Sequence, residues 1–178
     1  MGYLTMITLF VEEYNTITPS FYNNLIANLQ FHRLTCTCGH SACLSVHGYY
    51  TRSLKTPEGK LPFRICRVIC SCCHHTHALL PSSIVPYSQI SMAEHVEIIS
   101  SYESKQGWNT LMNHIPSIDE SNCRHIIRTF LWHWKQRLLS GKLTLSDRTT
   151  LIRDCFSAFA KQFMQIHCTP NILFMNTT

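Results

Sequence analysis

The stretch that decides the fold is "LSVHGYYTRSLKTPEGKLPFRICRVIC", residues 44–70. Its two halves, 44–55 and 60–70, are rich in β-branched and aromatic residues, which are typical of strands. They are separated by "TPEG", where proline and glycine stand at the positions that a tight turn requires. The stretch therefore predicts a β-hairpin.

Clusters of cysteine lie at both ends of this hairpin. The first is "CTCGHSAC", residues 36–43, and the second is "CSCCHHTH", residues 70–77. C-x-C and C-x-x-C spacings allow a tight backbone loop to direct two thiolates at one ion. Two such pairs at the ends of a hairpin are the arrangement of a zinc ribbon, in which four protein ligands hold a tetrahedral Zn²⁺. The predicted ligands of this structural zinc are Cys36, Cys38, Cys70 and Cys73.

Other readings of the cysteines stay open. Cys43 lies within loop range of Cys38 and is the alternate first-pair ligand, and sets that use Cys72 or a histidine also fit. The cysteines could instead be free buried thiols. A catalytic metal is disfavoured because no H-E-x-x-H motif is present, and a redox role because the C-x-x-C follows a hairpin instead of opening a helix.

The composition limits the class of protein. The chain has 178 residues, 45% of them hydrophobic, and a formal charge of +5, which suits one ordinary domain or two small ones. The first apolar run, "YLTMITLFV", is interrupted by "EEYN" and is far shorter than the roughly 20 residues of a membrane span. We expect no transmembrane helix, no secretory signal and a cytoplasmic location. There, the clustering of seven of the ten cysteines between residues 36 and 73 indicates metal binding more than disulfides.

The changes of pattern along the chain predict an α+β fold in which a small zinc-ribbon hairpin domain is followed by an all-α, helix-turn-helix-like bundle. A capping box at Ser91 and Glu94 predicts the start of the first bundle helix. A long later helix begins at Ser117 or Asp119 and ends at Gly141. The predicted divisions are an N-terminal segment 1–35, the ribbon 36–80, a connector 81–90 and the helical domain 91–178.

The long helix has two distinct faces. At about 100° per residue, Arg128 and Lys135 lie within about 40° of Arg124 and form one basic stripe, with Ser121 and Trp132 beside it. The opposite side is apolar and is the predicted core face. Its members are Cys123, Ile126, Ile127, Phe130, Leu131, Trp134 and Leu138.

A basic helix that follows a short helix and a tight turn fits a helix-turn-helix, whose second helix enters the major groove. Arg124, Arg128 and Lys135 would be the principal DNA contacts, with the arginines pairing with guanine or phosphate. Near the start of the helix, Ser121, Asn122 or His125 would reach base edges. The hairpin supplies further predicted phosphate contacts. These are Arg52, Lys55, Arg64 and Arg67.

Several segments also carry a resemblance to a known family. "HGYYTR", "CSCCHHTHALLP" and "VPYSQIS" resemble an uncharacterised bacterial family, the domain of unknown function numbered 6431, and are similar to zinc-ribbon N-terminal regions of transposases. The resemblance implies a zinc ribbon followed by a helix-turn-helix that recognises DNA of a transposon or other mobile element. After Gly141 the acidic residues are Asp147 and Asp154 alone, so we expect the DNA-reading part without the catalytic acidic triad of a transposase.

We therefore predict a non-enzymatic, zinc-dependent protein that binds double-stranded DNA. The alternative is a protein-interaction adaptor with a purely structural ribbon, whose exposed aromatics Tyr49, Tyr50 or Trp132 bind a partner protein or a second copy of the chain. A metal-dependent hydrolase ranks last.

Overall fold

The computed structural model describes residues 5–11, 17–56, 58–114, 118–145, 148–166 and 172–175. The strands are β1 (Thr5–Phe10), β2 (Leu44–Thr56), β3 (Gly59–Cys70), β4 (Thr76–Pro81) and β5 (Ile172–Met175). The helices are α1 (Pro19–Ala27), α2 (Met92–Glu103), α3 (Trp108–His114), α4 (Glu120–Thr129), a π-helical segment (Phe130–Trp134), α5 (Lys135–Gly141) and α6 (Arg148–Phe159). The predicted α+β class is confirmed.

The predicted hairpin is present as β2 and β3, which pair antiparallel from Leu44 opposite Cys70 to Thr56 opposite Gly59. A bulge between Val46 and Gly48 shifts the register on β2. Because the first residue of β2 faces the last residue of β3, the segments that precede and follow the hairpin meet at one place. Both cysteine clusters lie in those segments.

The sheet extends beyond the hairpin, in the order β2, β3, β4, β1 and β5. Strand β1 pairs in parallel with both β4 and β5, whereas β3 and β4 are antiparallel. The stretch "MITLF", for which the sequence predicts no strand pairing, lies in β1. Its Ile7 and Leu9 are fully buried. Continuous burial of this kind is typical of a strand with parallel neighbours.

Helix α1 packs on the sheet through Tyr22. Its hydroxyl group accepts a hydrogen bond from the backbone N–H of Cys66 at 2.8 Å and donates one to the carbonyl of Leu79 at 2.9 Å. This buried side chain therefore ties β3 to β4 at residues that flank the second cysteine cluster, Cys66 before it and Leu79 after it.

The segment 81–90, predicted to be a connector, is packed into the protein. Ser82, Ser83, Ile84 and Val85 are all buried, and the backbone N–H of Ser82 donates to the carbonyl of Leu9 at 2.8 Å. The domain boundaries stay predictions. However, β1 comes from the predicted N-terminal segment and residues 81–90 from the predicted connector, and both contact the same sheet.

The helical part begins as predicted. Ser91 and Glu94 form a complete capping box at the start of α2. Asp119 caps α4, since its carboxylate accepts from the backbone N–H of Asn122 at 2.9 Å, while Ser117 lies outside the described residues. The helices α3 and α4 follow each other in the predicted order and touch where Cys123 meets Met112. The helix-turn-helix assignment itself stays a prediction.

The predicted core face of the long helix is buried apart from Leu131. That side chain is 36% exposed because it stands at the edge of the apolar face, within a π-helical segment that locally widens the turn. Trp134 is fully buried and packs edge-on against Phe159 and Phe163. In the described part of the chain, no helix has both the length and the apolar character that a bilayer span requires.

Candidate metal centre and cationic surface

The first cysteine cluster is shaped by two backbone hydrogen bonds. The N–H of Cys36 donates to the carbonyl of His40 at 2.8 Å, and the N–H of Gly39 donates to the carbonyl of Cys36 at 2.9 Å. Gly39 has a φ of 88°, which is in the left-handed region that favours glycine. The resulting loop turns the side chains of Cys36 and Cys38 to the same side.

The second cluster repeats this design with one more residue. The N–H of Cys70 donates to the carbonyl of His75 at 3.0 Å, and the N–H of His74 donates to the carbonyl of Cys70 at 2.9 Å. His74 has a φ of 60° and directly follows Cys73. The extra residue explains why the second pair is C-x-x-C where the first is C-x-C.

The structure brings together the four predicted ligands. The sulfurs of Cys36, Cys38, Cys70 and Cys73 all lie within 4.8 Å of one another. The Sγ atoms of Cys36 and Cys73 are 3.5 Å apart, and those of Cys38 and Cys70 are 3.8 Å apart. Four sulfurs at about 2.3 Å from a tetrahedral ion would be about 3.8 Å apart. This group could therefore hold a metal ion.

The alternate ligand Cys43 lies beside the same cluster. Its Sγ is 3.4 Å from that of Cys70, and its thiol donates to the carbonyl of His40 at 3.1 Å. Together with Cys72 these sulfurs form a second group within 4.8 Å of one another. The cluster thus contains six thiols, of which Cys70 belongs to both groups.

Two histidines contact the cysteines from outside the four-sulfur group. Nε2 of the buried His77, on β4, is 3.2 Å from Sγ of Cys36, and Nδ1 of His40 is 3.4 Å from Sγ of Cys38. Ring nitrogens placed in this way orient metal ligands and stabilise their charge. The sequence did not single out either residue for this position, since only the return of β4 alongside β3 brings His77 to Cys36.

The hydrogen bonds favour thiolates at two of the sulfurs. Burial tends to raise the pKa of Cys70, but hydrogen bonds, chiefly from the backbone N–H of Cys73, lower that pKa to about 5. A backbone hydrogen bond from His40, and then one from its ring, lower the pKa of Cys38. Burial raises the pKa of Cys36, and it raises the pKa of Cys43 to about 11. A bound cation would stabilise all of these thiols in the ionised form.

The predicted basic stripe lies on the exposed side of the long helix. The guanidinium of Arg124 donates to Glu120 through Nε at 2.8 Å, and Nζ of Lys135 donates to Glu103 at 3.0 Å. Arg128 is exposed and has no ion pair among the described residues. Two of the three stripe cations thus have an acidic partner on the surface.

The polar residues at the start of α4 differ in availability. Ser121 and His125 are exposed. The side-chain amide of Asn122 donates to the carboxylate of Asp119 at 2.6 Å and is therefore engaged in the cap. Along the same side of α4 and the π-helical segment, a shallow groove is lined by Tyr102, Ser121, Arg124, His125, Arg128 and Trp132.

The hairpin cations divide into two kinds. Arg64 is exposed and stacks over the ring of Tyr49 at 4.2 Å, whereas Lys55 donates to Asp119 at 3.0 Å and Arg67 is half-buried. The guanidinium of Arg52 donates to the carbonyls of Val85 and Ser88 within the protein, and burial lowers its pKa. Its contact with phosphate stays a prediction.

A family model described as Domain of unknown function (DUF6431) matches residues 29–126, which is more than half of the 178 residues. No curated protein and no solved structure gives a significant match. The matched range contains both cysteine clusters, the hairpin between them, α2, α3 and the beginning of α4.

Proposed function

The chain belongs to the DUF6431 family, whose function is unknown, and we propose that it is a non-enzymatic, zinc-dependent protein that binds double-stranded DNA. Zinc holds the two cysteine loops together at the base of the hairpin. The long helix that is capped by Asp119 presents the DNA-binding surface.

The arrangement of the four sulfurs supports zinc as a structural ion. Thiolates select soft ions, and an all-cysteine tetrahedral set is typical of structural zinc. The pairs Cys36 with Cys73 and Cys38 with Cys70 have the separations, 3.5 and 3.8 Å, that such a set requires. Four protein ligands leave no open position for a substrate or a reactive water, which argues against a hydrolase.

The observation that carries DNA binding is the exposed basic side of α4. Arg128 is free of acidic partners among the described residues, and the Arg124 ion pair with Glu120 is exposed on both sides. Exposed ion pairs of this kind contribute about 0–1 kcal/mol, so a phosphate can replace the carboxylate at little cost. Ser121 and His125 lie along the same exposed side and would face base edges.

The hairpin and the helix are linked at the point where they would meet DNA. Nζ of Lys55, near the tip of the hairpin, donates to Asp119, and this carboxylate caps α4. The zinc-supported hairpin therefore positions the start of the helix, and the exposed Arg64 and Lys60 extend the cationic surface along the hairpin. In this proposal α4 acts as the recognition helix of a transposase-like DNA-reading module.

The test measures binding of the zinc-loaded full chain to mixed-sequence duplex DNA by fluorescence polarisation, from about 50 to 200 mM salt. Affinity is expected to fall steeply as salt rises. Replacing Arg128 with Ala should weaken binding and reduce the slope of log K against log salt by about one, since one phosphate contact is lost.

The matched control is Arg153→Ala, which removes the same charge from the exposed side of α6. It should leave the affinity and the slope almost unchanged. Folded, zinc-loaded protein that fails to bind duplex DNA at low salt would refute the proposal. Equal losses in both variants would mean that net charge alone drives the binding.

A protein-interaction adaptor is the second candidate, favoured by the exposure of Trp132, which is 79% accessible and lies beside Leu131. An apolar surface of this kind would bind a protein with little dependence on salt. Self-association that is lost in Trp132→Ala, in a protein that shows no DNA binding at low salt, would favour the adaptor. DNA binding that is lost in Arg128→Ala would favour the first proposal.

A further inference from the structure

Two thiols of the cysteine cluster stand outside the proposed zinc site. Cys43 belongs to the first loop and Cys72 to the second, and their sulfurs lie within 4.8 Å of each other and of the sulfur of Cys70. Sulfurs at about 2.3 Å from an ion in a three-coordinate site would be about 4.0 Å apart, so this group has the size that a second ion requires.

The positions of these residues are fixed by the backbone. The N–H of Ser71 donates to the carbonyl of Cys43 at 2.8 Å, which ties the second loop to the first. The N–H of Cys72 donates to Sγ of Cys70 at 3.3 Å. Cys43 is buried, with its Sγ 3.4 Å from that of Cys70, whereas Cys72 is exposed. The three cysteines thus extend from the buried interior of the cluster, at Cys43 and Cys70, to the surface, at Cys72.

We propose that Cys43, Cys70 and Cys72 bind a second soft metal ion, Zn²⁺ or Cu⁺, and that the thiolate of Cys70 bridges the two ions. The inference rests on the proposed zinc site because Cys70 is shared by both. A thiolate sulfur has enough lone pairs to bind two ions at once, and Cys70 lies between Cys38 at 3.8 Å and Cys43 at 3.4 Å.

The charge balance of a two-zinc cluster is the same as that of the single site. One Zn²⁺ with four thiolates has a net charge of −2. Binding of a second Zn²⁺ releases the protons of Cys43 and Cys72 to solvent, and the two ions with six thiolates again carry −2. With Cu⁺ in the second position the net charge is −3, and three thiolates complete the coordination of that ion.

The second ion would exchange more readily than the first. It has three protein ligands where the first has four, and one of the three is the exposed Cys72. A chelator should therefore remove one equivalent of metal quickly and the other slowly.

The experiment is native mass spectrometry of the reduced full chain, titrated with Zn²⁺ alone or with Zn²⁺ followed by Cu⁺. The wild type should bind two ions, and the arm that fills the second site identifies its metal. Cys72→Ser should bind one, and because this side chain is exposed the substitution leaves the packing intact. Cys43→Ser should give the same result. The matched control Cys123→Ala, in the helical core, should retain two.

Saturation of the wild type at one ion in both arms would overturn the second site and leave the proposed zinc protein in place. So would retention of two ions by Cys72→Ser. A folded wild type that binds no metal would instead overturn the proposed zinc site, so the two failures are distinguishable.

Discussion

Gly39 and His74 occupy equivalent positions in the two cysteine loops. Each follows the second cysteine of its pair and adopts a left-handed conformation, with φ of 88° for Gly39 and 60° for His74. Glycine takes this conformation without strain, whereas a residue with a Cβ does so at a cost of about 1 kcal/mol. The first loop thus has the unstrained residue and the second has the strained one.

Exchanging glycine and non-glycine residues should therefore have opposite effects in the two loops. Gly39→Ala is expected to lower the free energy of unfolding by about 1 kcal/mol. His74→Gly is expected to raise it by only about 0.5 kcal/mol, because the relief of backbone strain in the folded protein is partly offset by the freedom that glycine adds to the unfolded chain. A Cβ at Gly39 would have no atom within 4 Å, so its effect is one of backbone conformation alone. Chemical denaturation of the metal-loaded protein measures both, and effects of the same sign would contradict the equivalence.

Tyr22 should be the residue whose hydroxyl group matters most to the hairpin. Tyr22→Phe leaves the N–H of Cys66 and the carbonyl of Leu79 without this partner in a buried environment. We expect a loss of about 2 kcal/mol, since each unsatisfied buried group costs about 1–3 kcal/mol and some of it is regained by relaxation. The control Tyr87→Phe alters an exposed tyrosine and should cost much less. Equal losses measured by denaturation would contradict this role.

The parts of the fold that sequence predicts are those set by neighbours along the chain. The turn chemistry of "TPEG" and the strand-forming residues around it locate the hairpin, and the spacing of Ser91 and Glu94 locates the start of α2. The thiol pairs of the candidate site also follow from local spacing, because an antiparallel hairpin necessarily brings its two ends together.

The remainder depends on contacts between distant segments. The run that forms β1 is too short to distinguish strand from helix by its pattern, and its pairing with β4 joins residues more than 70 positions apart. His77 reaches Cys36 because Val68 on β3 lies opposite His77 on β4. The guanidinium of Arg52 donates to the carbonyls of 85 and 88, which come from a distant segment, and no property of its own neighbours indicates these hydrogen bonds.

Arg52 and Arg64 provide a comparison of an internal and an external arginine on adjacent strands. Arg52→Ala leaves the carbonyl of Ser88 without its donor, whereas that of Val85 still accepts the backbone N–H of Ser88 at 3.1 Å, and should destabilise the protein by about 2 kcal/mol. Arg64→Ala removes an exposed cation stacked on Tyr49 and should cost at most about 1 kcal/mol, while weakening any binding to DNA. Thermal denaturation and DNA binding measured on both variants test this difference between the two arginines. A larger loss of stability in Arg64→Ala than in Arg52→Ala would refute it.

His95 should make stability depend on pH. It is buried in α2, where burial lowers its pKa to about 4, and its Nδ1 lies 2.8 Å from the carbonyl of Ser91 and donates to it. Between about pH 6.5 and pH 4 the unfolded chain therefore binds a proton that the folded chain excludes. Stability is lost as the pH falls through this window, by at most about 3 kcal/mol from this residue.

The variant His95→Asn retains a donor for Ser91 but has no proton to gain. Its free energy of unfolding, measured by denaturation from pH 7 to pH 4, should fall less than that of the wild type. The exposed His32→Asn is the matched control and should follow the wild-type curve. Because acid also displaces metal from thiolates, the difference between the two variants at each pH is the relevant quantity. Parallel curves would contradict the role of His95.

Removal of metal should loosen the hairpin before the helices. The two cysteine loops join the start of β2 to the end of β3, and β2 is an edge strand whose paired neighbour is β3 alone among the described strands. The helices have a separate apolar cluster that includes Trp134, Ile98 and Ile152, all fully buried.

After chelation under reducing conditions, amide hydrogen exchange should accelerate in β2 and β3 and change little in α2 and α4, because the free energy of metal binding stabilises the elements that the ligands join. Cys36→Ser should give the same pattern without a chelator, whereas Cys155→Ala, a substitution in the helical core, should leave the exchange of the hairpin unchanged. Uniform acceleration across both clusters would mean that the metal supports the whole fold and not the hairpin in particular.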